Sequence, residues 1–129
     1  MRVTVASRAL RAGDEIVVSS SDGGEWTATW RGESGVDVGA CVDVEVEISN
    51  PLSRWDVGRA GHGAAGVATS RGQVTVRGVV TATADDGVVV LDLSPGLVMV
   101  ELADARRPPE VGALIEFSTT TIELFPTET

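Results

Sequence analysis

The side chains with most chemistry to offer are few and far apart. His62 is the only histidine and Cys41 the only cysteine. A general base works when a third group holds it against a nucleophile, yet His62 lies between Gly61 and Gly63, where nothing fixes it. One cysteine allows no intramolecular disulfide and no multi-cysteine zinc centre, and Cys41 reads as a small buried apolar group. The run Gly61-His62-Gly63-Ala64-Ala65-Gly66 spells G-x-G-x-x-G. That spelling cradles a pyrophosphate only between a strand and a helix N-terminus; residues 67–72 carry no helical period, so no dinucleotide site is expected. No G-x-S-x-G motif is present either. A nucleophile, an orienting base and a stabiliser of developing charge cannot be assembled from these residues. The expectation is a protein that binds rather than catalyses, with no cofactor and no metal.

Three other groupings suit binding. Val42, Val44, Val46 and Ile48 alternate with Asp43, Glu45 and Glu47. A strand here turns an apolar face to the core and an acidic ridge outward, with same-face neighbours roughly 7 Å apart. Such a ridge can receive Arg or Lys from a basic protein, or simply serve as a solvated face that discourages edge pairing. Trp26 and Trp30 share one strand face with Ala28 between them, roughly 13 Å apart. They either fill the core or offer rings on which bases stack. The third grouping is the segment 50–72, where Arg54, Arg59 and Arg71 stand against Asp56 alone, while residues 1–49 and 74–129 each hold nine acids. With Trp55 and His62 it is a cationic, partly aromatic loop able to clamp a phosphate, a single-stranded base or an acidic peptide, or else a Gly-rich linker.

The elements that must position these groups are strands. Apolar and polar residues alternate along most of the chain, and turn residues separate the runs. About eight strands are expected: Arg2 to Arg8, Glu15 to Ser20, Glu25 to Arg31 and Ala40 to Ser49, then Gln73 to Thr83, Gly87 to Leu93, Leu97 to Ala103 and Ala113 to Leu124. Ser21-Asp22-Gly23-Gly24 and Ser94-Pro95-Gly96 supply hairpin turns, having residues suited to positive or fixed φ. An aromatic content of 4% with no Tyr leaves the core to Val, Ile, Leu and Ala, of which the β-branched members favour strands. The halves overlay: Val3-Thr4-Val5 on Val74-Thr75-Val76, and Val38-Gly39-Ala40 on Val111-Gly112-Ala113. This predicts two tandem four-strand repeats, a first β half at 1–49, a connector at 50–72 and a second β half at 73–129, in one compact unit.

A strand, a hairpin and a final strand introduced by Val-Gly-Ala is similar to the patterning of small OB-like barrels, although each half lacks the helix and fifth strand such a barrel has. Two arrangements follow: two incomplete barrels packed together, or one pseudo-symmetric eight-strand antiparallel barrel or sandwich.

The formal net charge of −9 opposes a phosphate backbone and favours a basic partner. The leading expectation is therefore a non-catalytic protein-binding module, such as an inhibitor or immunity-like protein or an accessory subunit. It would use Asp43, Glu45 and Glu47 as an acidic ridge and Trp30 and Trp55 as apolar anchors. The alternative is an OB-like single-stranded nucleic-acid binder using Trp26, Trp30, Arg54, Trp55, Arg59 and Arg71. Residues 1–8 lack the apolar run of a signal peptide and no stretch is long enough to span a bilayer, so a cytoplasmic setting without membrane contact is expected.

Overall fold

The computed structural model describes residues 1–20, 24–48, 50–57, 65–70, 73–93, 96–119 and 122–127. Among these, the alternating sequence forms eleven strands: β1 (Arg2–Ser7), β2 (Glu15–Ser19), β3 (Glu25–Trp30), β4 (Cys41–Ile48), β5 (Asp56–Val57), β6 (Gly66–Ser70), β7 (Gln73–Thr83), β8 (Val88–Asp92), β9 (Leu97–Glu101), β10 (Leu114–Thr119) and β11 (Ile122–Pro126). The pairing order β1-β2-β3-β11-β4, with β4 returning to β1, closes a five-stranded barrel of OB-like size. From β4 the sheet continues outside the barrel through β9, β8, β7, β10 and β5, and β6 pairs with β7. Inward residues of successive strands meet in one core: Val5, Val18, Trp26, Val44 and Leu124 of the barrel are 0–2% exposed, as are Leu91 and Ile115 beyond it.

The barrel closes through its last strand. β11 lies between β3 and β4, parallel to the first, with Leu124 opposite Trp30, and antiparallel to the second, with Ile122 opposite Ile48 and Pro126 opposite Val44. The sheet is therefore mixed, not wholly antiparallel as the hairpin pattern suggests; β4 and β9 form a second parallel contact. The single predicted strand Ala113 to Leu124 is likewise two strands. β10 pairs with β7 and β11 with β3 and β4. Alternation reports which way side chains point, but not which neighbour a strand has, so a change of partner leaves no mark in the period.

The segment 50–72 is also more than a connector. Leu52 is buried and bridges Leu102 in parallel, β5 pairs with β10, and β6 forms an antiparallel ladder with β7 in which Val67 is buried. Its Gly-rich composition conceals these short pieces: Leu52, and Val67 of β6, are buried, while Asp56 and Val57 of β5 are held by pairing alone and stay exposed.

Residues 73–119 use the pairing scheme of residues 1–48. β7, β8 and β9 form an antiparallel meander with β10 on β7, as β1, β2 and β3 do with β4 on β1. A bulge falls between Val5 and Ser7 and another between Val80 and Ala82. Gly39 and Gly112, at φ 90° and 93°, occupy like turns: each amide donates to a carbonyl of the first strand, Val5 in one case and Val80 in the other. These contacts set Val5 in the place of Val80, whereas the sequence overlay sets Val3-Thr4-Val5 on Val74-Thr75-Val76. The hairpin turns expected at 21–23 and 94–95 lie outside the described residues.

The closing strand yields a direct test. Leu124 is fully buried while its neighbour Phe125 is 36% exposed. Leu124→Ala should cost about 3 kcal/mol of unfolding free energy through lost burial and the cavity left behind, against no more than about 1 kcal/mol for Phe125→Ala. Urea unfolding of the two variants checks this, and equal losses would contradict the placement of β11.

Candidate protein-interaction face

β4 contributes to both sides of the sheet by simple parity. Val44, Val46 and Ile48 are buried, and Cys41, Glu45 and Glu47 point outward and are exposed. Cys41 is thus not the buried apolar group expected of it. It shares the outward parity of the acids, and its sulfur lies 3.6 Å from Thr4 Oγ1.

The three ridge acids differ in their surroundings. Asp43 accepts two hydrogen bonds from Arg2 of β1, at 3.0 and 3.2 Å, and they hold its carboxyl below the usual aspartate range. This end of the ridge is already neutralised. Glu47 lies opposite Glu123 of β11, which accepts from Arg31 Nε. Among the described residues no cation is paired with Glu45 or Glu47.

One edge of β4 is shared between two strands. β1 takes residues 41–43, and Met1 exchanges backbone hydrogen bonds with Val44 in both directions. β9 then pairs at Glu47, opposite Met99. On β9 the inward residues Val98 and Val100 are buried, while Leu97, Met99 and Glu101 face outward; Leu97 and Met99 are 59% and 57% exposed. Phe125 of β11 pairs with Glu45 on the opposite edge. The outer surface across β11, β4 and β9 therefore interleaves glutamates with exposed apolar side chains. No protein family, curated protein or solved structure matches the chain. The face must therefore be judged on its own chemistry.

The apolar members of this face were missed in the sequence, although a signal was there. Leu97-Val98-Met99-Val100 is apolar at both parities, so such a strand is either covered on both faces or presents one apolar face outward. The tryptophans, by contrast, go inside. Trp26 and Trp30 are 0% and 3% exposed, and their ring N–H groups donate to Ser20 Oγ at 3.0 Å and the Ser34 carbonyl at 2.9 Å. Trp30 packs so closely on the following loop that a Cβ at Gly32 would lie 2.5 Å from its ring. Neither ring can serve as a partner anchor or a base-stacking platform without unpacking the core, which corrects both roles. The reason is composition: with so few aromatic side chains, the largest apolar areas are worth most inside. Trp55 is half-buried against the same core and Arg54 is exposed. Arg59, His62 and Arg71 lie outside the described residues. Gly66 opens strand β6, so a strand and not a helix follows the glycine-rich spelling.

Two measurements follow. Acrylamide should quench the intrinsic fluorescence weakly, and Trp55→Phe should remove most of the quenchable signal; efficient quenching that survives this change would mean exposed Trp26 or Trp30. For Asp43, a folded-state value below the unfolded one means its pairing stabilises the fold at neutral pH, and this contribution is lost as pH falls through the folded value. Asp43→Asn should lower the urea midpoint slightly at neutral pH, with the gap closing below the ordinary aspartate range. A gap that persisted in strong acid would rule out the Arg2 pairing as its cause.

Proposed function

We propose that the chain is a non-catalytic protein-binding module whose acidic and apolar outer face engages a basic protein, as an inhibitor or immunity-like protein of a cationic toxin does, or an accessory subunit of a complex. The observation that carries this reading is the adjacency of Glu45 and Glu47, with no paired cation among the described residues, to exposed Phe125 and Met99, with Leu97 further along the same outward face of β9. The carboxylates and the net charge of −9 steer a basic partner and suppress acidic ones. The apolar side chains supply the area that makes a complex last. A cytoplasmic setting is consistent with this reading. Single-stranded nucleic acid is the weaker partner, because Trp26 and Trp30 have no free ring face to stack on.

We further infer that the two halves are tandem copies of one unit. Supporting this are the shared pairing scheme, the equivalent bulges and the equivalent glycine turns.

The functional reading is tested by immobilising the wild-type chain and the Glu45→Lys/Glu47→Lys variant, then passing an extract of the cells that encode it over both at low and high salt. A basic protein retained by the wild type and lost from the variant is expected. Its affinity should fall roughly tenfold at low salt on charge reversal, the effect of losing two exposed ion pairs of up to about 1 kcal/mol each, with a smaller gap at high salt. Retention unaffected by the reversal, or retention of oligonucleotide instead, would refute the assignment.

A further inference from the structure

The seam between β4 and β9 holds a groove of about 360 Å³. It exists because β1 and Met1 occupy the first half of that β4 edge, leaving β9 to pair with β4 at Glu47 alone among the described residues. Every other strand of the meander is zipped along its length; β8 pairs with β9 from Val88–Glu101 to Asp92–Leu97. Met99 and the half-buried Val88 form its apolar walls, the buried Val46 and Val100 border it from the core side, and Glu45, Glu47 and Glu101 bring carboxylates to it. The groove thus sets the apolar side chains of Met99 and Val88 among three carboxylates. Among the described residues no cation is paired with any of the three glutamates.

Resting on the reading above, we infer that this groove receives an arginine side chain of the basic partner. The apolar stem lies against Met99 and Val88, and the guanidinium reaches the surrounding glutamates. Arginine fits better than lysine for two physical reasons. Its planar fork donates to two carboxylates at once or to one in bidentate fashion. It is also less strongly hydrated than an ammonium, so laying it along apolar wall costs less. A purely apolar side chain would leave the carboxylates without a partner, and a short one would not span from wall to carboxylate.

Met99 makes the inference directly observable. The chain has two methionines, Met1 and Met99. In the full chain labelled with ¹³C at the methionine methyls, a capped Gly-Val-Arg-Val-Gly peptide titrated to millimolar concentration should shift the Met99 methyl resonance saturably and leave Met1 in place. The citrulline peptide, of the same shape without the charge, and the norleucine peptide should give no saturable shift. The lysine peptide should bind several-fold more weakly, and Glu47→Gln/Glu101→Gln should abolish the response to arginine. A silent Met99, or equal responses to arginine, lysine and norleucine, would overturn the groove assignment. Loss of the basic partner from the Glu45→Lys/Glu47→Lys column alongside a silent Met99 would defeat the groove and leave the acidic-face reading standing; a column that fails on its own defeats the broader reading instead.

Discussion

A β-strand exposes a row of amides and carbonyls on each edge, and a buried edge must find a partner. In the five-stranded barrel that requirement converges on β11. β3 and β4 do not pair with each other; Ile122 to Pro126 lies between them and satisfies both, while Leu124 fills the centre against residues drawn from the other strands. Trp30 of β3 and the inward Val44, Val46 and Ile48 of β4 all lie opposite residues of this one inserted strand. Without it, β4 would have a free edge where it now has Glu123 and Phe125 beside its acids.

β4 is the strand that joins the barrel to the outer sheet. It closes the barrel through β1 and β11 and leads into the outer sheet through β9. Its inward parity is committed to packing, so its outward parity is the part that can vary without harm to the core. The same shared edge that limits β9 to the end of β4 prevents a tight seam there. A topological compromise thereby becomes a concavity beside the outward glutamates.

Much of this was legible in the residues. The period of two located the first-half strands to within a residue or two and assigned Val44, Val46 and Ile48 to the core and Glu45 and Glu47 to the surface. The hidden part has a common physical cause: pairing partners are chosen over long distances by the fit of whole strands. Nothing in Ala113 to Leu124 announces that its two ends belong to different neighbours, and nothing near Leu52 announces Leu102. The tryptophans were ambiguous for another reason, since a large apolar ring on an inward face and one on an outward face occur in the same alternating pattern. The apolar outward side of β9 could have been read from Leu97 and Met99, but it lacked any charge to draw attention.

The barrel's missing wall is supplied by residues more than seventy positions beyond the end of β4. On the ribosome, the strands of the first half emerge long before the one that completes them. During that interval β3 and β4 present open edges to each other and to any neighbouring nascent chain. Such long-range pairing slows folding, and the vacancy is one that the corresponding strand of another copy could fill. The acidic residues flanking it, Glu45 and Glu47 among them, would then guard the edge by mutual repulsion until the chain's own last strand arrives.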